Sequence, residues 1–422
     1  MTAVSVRALG GEAAAMIEAL AAFTAVPGKV TRLFLTPEHR AAADAVAGWM
    51  REAGLEVRED AMGTVRGTLP PQTAGGGNRR LLIGSHIDTV VDAGRYDGTL
   101  GVVCAILAAR EIRRRGLATP FAIEILAFGD EEGVRFPKTL LSSAAVAGSL
   151  DAQALEVRDA AGISIADALR AFGGNPDGIG ACALSPGEVA GYLEVHIEQG
   201  PVLESRGLPL GVVTSIAGAS RFNVTVRGEA GHAGTVPMEL RHDALAAAAE
   251  FIQAVETIAR ADAADSLVAT VGRIEARPGA VNVIPGEVHM TLDIRAAADA
   301  PRLEAIAALR EEARRIGARR GCVFALEQYH DVGTRPCAPH LQDTAAAALQ
   351  ELGLEPLRLM SGAGHDGQAM AALCDIGMMF VRCRGGISHN PLESVSDADM
   401  GLAVEALVRW IEHLASYERT ER

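Results

Sequence analysis

The stretch LLIGSHIDTVVDAGRYDGTLG, Leu81 to Gly101, decides the fold. Its apolar start has the character of a buried strand and runs into His86, then Asp88, with Asp97 eleven residues after the histidine. A strand end that delivers a His and an Asp close together opens a metal site. Three later segments repeat the design. FAIEILAFGDEE ends in Asp130, Glu131 and Glu132; GYLEVHIEQGP carries His196, Glu198 and Gln199; GMMFVRCRGGISHNP leads to His389. In an open α/β sheet, ligands bind in the crevice beyond the carboxyl ends of the strands, so four segments aim side chains at one place.

Those side chains are three histidines (His86, His196, His389) and carboxylates (Asp97, Glu131, Glu132), with no cysteine among them. A nitrogen and oxygen set of this kind suits Zn, Mn, Co or Ni rather than an iron-sulfur cluster or a Cys-ligated structural zinc. It is too large for one open catalytic metal. Two divalent ions about 3.5–4 Å apart, bridged by a carboxylate and a water, would use it fully. One histidine near a strand end is more often a core or surface residue than a ligand; three such ends beside glycines and carboxylates reverse that weighting. His39, His242, His289, His330, His340 and His413 keep the plain reading, without partners, and His365 in SGAGHDG stands between the two.

The motifs GSHIDTV, GRYDGTLGV, GDEEGVRF, HIEQGPVLE, GHAGTVPM, VNVIP, SGAGHD and GISHNP occur in this order from about residue 80 to 391. In these the chain resembles the M20 metallopeptidase superfamily, in the amidohydrolase and carbamoylase branch that holds allantoate amidohydrolases, N-carbamoyl-L-amino acid hydrolases and β-ureidopropionases. The resemblance implies that His86 and His196 ligate one metal, Glu132 and His389 the other, and that Asp97 bridges them. It implies Glu131 as general base and Asp88 as the group that orients His86. The residues themselves agree on Asp88, because a ligating His commonly donates its second ring N–H to a carboxylate. They leave open which of Glu131 and Glu132 is the ligand, although neighbours on an extended segment point opposite ways and do not both serve one metal.

The resemblance also makes His232, in GEAGHAGT, an oxyanion donor in the active site of the neighbouring subunit of a homodimer. Gln199, Asn282, Arg295 and Gly362 become substrate ligands on the same warrant. Arg295 is the physically strongest, since a guanidinium fork fits a carboxylate as a Lys does not; following Asp293 on a strand, it could instead be a structural salt bridge.

At 422 residues and 49% hydrophobic the chain is long enough for two cores. A net charge of −14 argues against nucleic acid or an anionic membrane as partner. No N-terminal segment reads as a signal peptide and no run of about 18 apolar residues occurs, so a cytoplasmic protein is expected. The six cysteines (Cys104, Cys182, Cys322, Cys337, Cys374, Cys383) form no CxxC pair and read as reduced, mostly buried thiols.

Thr36-Pro37 caps and opens a helix that Gly54 ends, and EVREDAMGTVRGTL follows as a hairpin. The loop from Pro70 to Asn78 is rich in Pro and Gly and is expected to be mobile. Metal-bearing strands then alternate with amphipathic helices such as GVVCAILAAREIRRRG, the rhythm of a parallel or mixed sheet. From about residue 212 the order becomes β-α-β-β-α-β, the ferredoxin-like split motif. The expectation is an α/β protein: a mixed-sheet catalytic domain (1–211 and 330–422) with an inserted ferredoxin-like lid and dimerisation domain (212–329).

Two metals with a carboxylate base predict hydrolysis of an amide-like C–N bond, with Glu131 taking a proton from water and returning it to the leaving nitrogen. Peptidases of the superfamily usually place a carboxylate where this chain has His196, so His196 with Gln199 points to a small ureido carboxylate as substrate. The leading expectation is allantoate, cleaved to ureidoglycine, ammonia and carbon dioxide; the alternative is an N-carbamoyl-L-amino acid hydrolase or β-ureidopropionase. More distant are a dipeptidase and a non-catalytic relative, the latter expected to have lost a ligand or the base.

Overall fold

The computed structural model describes residues 3–73, 79–261 and 267–420. Residues 74–78 of the loop expected to be mobile lie outside the described residues.

Four parallel strands form the centre of the large sheet, in the order Ala122–Phe128, Arg80–His86, Val189–Ile197, Ile376–Val381. The Glu56–Glu59 and Val65–Leu69 hairpin extends it antiparallel on one side, and Leu210–Ile216 on the other. Every residue of Val189–Ile197 and of Ile376–Val381 is buried, as a sheet covered on both faces requires. Because the four central strands run the same way, their carboxyl ends share one edge. His86 lies in register with Phe128, and His196 with Phe380, so the four expected ligand segments leave the sheet side by side.

The helix Pro37–Glu52 begins at Thr36, whose hydroxyl accepts the His39 N–H, and Gly54 follows it at φ +85°. The helix Thr99–Arg115 starts directly after Asp97-Gly98 and is stopped by Gly116 in the left-handed conformation. It packs with Ala3–Ala21 and Asp397–Thr420 over the sheet. Trp410, fully buried, anchors Asp397–Thr420 by donating to the Leu341 carbonyl at 3.0 Å.

A second compact unit holds an antiparallel sheet in the order Ile274–Arg277, Glu287–Ala296, Gly218–Arg227, Val323–Val332, with Val268–Thr270 also paired to Glu287–Ala296. Burial alternates residue by residue along Glu287–Ala296, because the helices Ala244–Ala261 and Asp299–Arg320 cover one face only. This is the inserted ferredoxin-like domain. Its compact unit comprises residues 215–336 and 360–362, against the expected 212–329. The limits differ because Val323–Val332 pairs along its length with Gly218–Arg227, and because the Ala217 N–H donates to the Ser361 carbonyl.

All six cysteines are free, and five are buried. Among the described residues no helix is long and apolar enough to cross a membrane.

Candidate metal centre

The strand ends assemble two groups of potential ligands that share Asp97. His86, Asp97 and His196 form one; Asp97, Glu132 and His389 form the other; within each, the ligand atoms lie within 4.8 Å of one another. Asp97 Oδ1 is 3.4 Å from His86 Nε2 and 3.2 Å from His196 Nε2, while Oδ2 is 3.4 Å from His389 Nε2. His389 Nε2 is also 3.4 Å from Glu132 Oε2. Gly98, at φ +66°, is what lets this turn form: a Cβ there would lie 2.4 Å from the His86 ring.

The histidine tautomers follow from their other nitrogens. His86 Nδ1 lies 3.1 Å from the Asp88 carbonyl, and His196 Nδ1 lies 2.9 Å from the Ile197 carbonyl. Carbonyls only accept, so both Nδ1 atoms carry a proton and both Nε2 atoms face Asp97, His196 Nε2 also lying 3.2 Å from the Gly98 N–H. Lone pairs brought together in this way call for a cation. Glu132 Oε1, buried and without a hydrogen-bond partner, makes the same demand in the second group. The donor set fits two divalent ions, with Asp97 within reach of both groups.

The electrostatics point the same way. Burial pushes the Asp97 carboxyl up, but His196 and His389 outweigh it and hold it well below the usual carboxylate range. Burial pulls the His86 imidazolium down, and Asp88 and Asp97 more than reverse this. Burial and the repulsion of Asp97 push Glu132 up to about 7.

Asp88 does more than orient His86. Its two carboxylate oxygens accept the N–H groups of Glu131 at 3.1 Å and Glu132 at 3.2 Å, which fixes the turn and sends the adjacent side chains apart. Glu132 enters the second ligand group and Glu131 enters neither. The Glu131 carboxylate instead lies beside Gly364, and burial raises it well above its ordinary value.

The expected substrate residues divide between the two units. Gln199 stands with the ligands, its Nε2 donating to Asp97 Oδ2 at 2.8 Å. His232, Asn282, Arg295 and Gly362 lie in the ferredoxin-like unit. There His232 pairs with Val283, and the Ala233 N–H donates to the Asn282 carbonyl, so His232 and Asn282 are neighbours. His232 is exposed, with Nδ1 accepting from the Gly234 N–H at 3.0 Å. Arg295 donates to Gly362 O at 2.7 Å, and its fork is filled by Asp293 at 2.8 and 3.1 Å. Within this unit Arg295 is therefore the salt bridge that its strand position allowed.

The remaining histidines are more engaged than the plain reading held. His39 is buried and stacked on Phe172, His289 pairs with Glu287, and His413 with Glu351. His365 is buried with its ring centroid 4.5 Å from that of His196. Ser388, 2.6 Å from Asp97 Oδ2, and Glu393, which bonds to the Ser388 hydroxyl, escaped the sequence reading. The only signal was their place flanking His389 in ISHNPLE.

Residues 82–413 match the family model described as peptidase family M20/M25/M40. The chain belongs to that family. It is 42% identical to an allantoate deiminase of Arabidopsis thaliana over 96% of this chain and 82% of that one. It is also 42% identical to an N-carbamoyl-L-amino acid amidohydrolase of Geobacillus stearothermophilus, over 93% of this chain and 95% of that one. Among solved structures it is similar to a hydantoinase/carbamoylase family amidase of Burkholderia multivorans, with TM-score 0.89 and 32% identity over 96% and 98% of the two chains. This M20 chain is a metal-dependent hydrolase.

Proposed function

We propose that the protein is a dimetal amidohydrolase that cleaves the terminal ureido C–N bond of a small carboxylate, with allantoate as substrate. The observation that carries the reaction class is Asp97 shared by two ligand groups, with Glu131 outside both. His86 and His196 would hold one ion, Glu132 and His389 the other, and the donor set suits Zn, Mn, Co or Ni. Two such ions, when bound, acidify water and polarise a carbonyl.

Glu131 removes a proton from the attacking water and passes it to the leaving nitrogen. Water adds to the terminal ureido carbonyl, ammonia leaves, and the remaining carbamate loses carbon dioxide to give ureidoglycine. His232 Nε2, its Nδ1 already accepting a backbone proton, is the nitrogen that donates to the oxyanion. Gln199, Asn282, Arg295 and Gly362 bind the substrate, Arg295 by turning part of its fork from Asp293 to the substrate carboxylate. In this reading the ferredoxin-like domain is a lid and a dimerisation domain, and His232 serves the partner subunit's site. The free thiols suit a reducing compartment, and we place the protein in the cytoplasm.

The similarity to allantoate deiminases at 42% identity supports allantoate. The equal identity to an N-carbamoyl-L-amino acid amidohydrolase supports the second reading, an N-carbamoyl-L-amino acid hydrolase. One assay decides: metal-loaded protein is offered allantoate, N-carbamoyl amino acids, N-carbamoyl-β-alanine and dipeptides, and released ammonia and amino acid are measured. Turnover of allantoate above the others is expected; preference for an N-carbamoyl amino acid selects the second reading, and cleavage of dipeptides alone refutes both.

A further inference from the structure

We propose that Glu393 is a positioning residue of the dimetal centre, whose carboxylate holds the loop carrying Asp97 and the loop carrying His389 in register. It is 4% exposed and belongs to neither ligand group. Its Oε1 accepts the N–H groups of Tyr96 at 2.7 Å and Asp97 at 3.1 Å, so the backbone of the shared ligand hangs on one oxygen. Its Oε2 lies 3.1 Å from the hydroxyl of Ser388, the residue before His389. That hydroxyl is 2.6 Å from Asp97 Oδ2, and Gln199 Nε2 reaches both Asp97 Oδ2 at 2.8 Å and Ser388 Oγ at 3.4 Å. The single Ser388 proton is shared between the Asp97 and Glu393 carboxylates, so Glu393, Ser388, Asp97 and Gln199 form one polar cluster.

Two details show a site shaped around this carboxylate. A Cβ on Gly94 would lie 2.2 Å from the Glu393 carboxyl carbon, so that position leaves room only for glycine. His389 has φ +54°, a conformation that a residue with a side chain keeps only when its surroundings hold it there. They do so from both sides: Ser388 is tied to Glu393, and the Glu393 N–H donates to the Asn390 carbonyl at 3.0 Å. Displacing Glu393 therefore frees the ligand that both groups share, together with the backbone of His389. The inference rests on the dimetal reading proposed above.

The test is a titration of apoprotein with Zn²⁺ against a competing chromophoric chelator, counting equivalents and affinities, with the apoprotein melting curve as a check on folding. Glu393→Ala should bind metal ~10–100-fold more weakly, the span seen when a partner behind a metal ligand is lost. Glu393→Gln, whose amide oxygen still accepts both N–H groups, should stay close to wild type. Ser388→Ala should weaken one equivalent more than the other, since it releases the His389 side and leaves the Tyr96 and Asp97 bonds in place. A folded Glu393→Ala that binds two equivalents with wild-type affinity overturns the proposal. Should that variant not fold, two wild-type equivalents in Ser388→Ala overturn it instead. Asp97→Asn separates the two readings: undiminished binding there refutes the shared ligand itself, whereas loss there with full binding by Glu393→Ala sinks only the role of Glu393.

Discussion

Glu131 and Glu132 differ in one respect, the side of the chain on which each side chain leaves a turn fixed by Asp88. Glu132 meets His389 and Asp97, while Glu131 meets neither group. Glu131→Gln should therefore keep both metals while kcat falls by ~10²–10⁴, the range for loss of a general base. Glu132→Gln should lose metal from the His389 group. Metal analysis and kcat on the two purified variants check this, and metal loss in Glu131→Gln equal to that in Glu132→Gln would show the roles exchanged. The residues by themselves named this pair without dividing it, because adjacent positions share every local property except direction; the division came only from the family resemblance. Arg295 shows the opposite gap. Its fork geometry and the nearby Asp293 were legible, but the cross-strand Arg221 that shares Asp293 was not. Arg295→Lys should weaken a carboxylate substrate by ~1.5–3 kcal/mol, the worth of a hydrogen bond to a charged group, and leave an uncharged amide analogue unaffected. Equal losses for both, measured as kcat/KM, would assign Arg295 to structure alone.

At the scale of elements, the turn between the Arg80–His86 strand and the Thr99–Arg115 helix carries a tight constraint. Gly98→Ala would place a methyl on a left-handed residue against the His86 ring, so it should abolish metal binding in the His86 group. Equilibrium dialysis showing two metals in a folded Gly98→Ala would contradict that. The helix Pro37–Glu52 offers a test in pH. Burial, against the smaller opposing pull of Asp88, lowers His39 from 6.5 to about 3. The unfolded chain takes up this proton near pH 6.5 and the folded chain only near pH 3, so stability from neutral His39 is complete above 6.5 and is lost as pH falls through that window. His39→Asn, which can still accept the Leu35 N–H, should show a shallower fall in urea midpoint between those two pH values than wild type. Identical slopes would remove His39 from the account. The capping Thr36, Pro37 and Gly54 made this helix readable in advance, whereas the stacking of Phe172 on His39 joins residues too distant in sequence for any local pattern to show.

For the whole molecule, the proposed exchange of His232 between subunits gives a quantitative expectation. His232→Ala and Glu131→Gln should each be inactive alone, and mixing them under subunit exchange should restore up to about a quarter of wild-type activity, since one site in each mixed dimer receives neither lesion. No recovery despite demonstrated exchange would assign His232 to its own subunit's site or to no catalytic role. The sequence by itself determined the parallel centre of the sheet, the four strand ends that bear ligands and the β-α-β-β-α-β insertion, because hydrophobic periodicity and turn residues act over a few neighbours and are written locally. It also carried the identity of the donors, since ligand chemistry belongs to residue type. The resemblance named Asp97 as shared and Glu132 as the partner of His389, but only the tertiary structure supplied the distances that group them and the contacts of Glu393 with the two loops. Each of these depends on distances between segments as many as 297 residues apart along the chain, and such distances are set by strand order and packing rather than by any pattern within a segment.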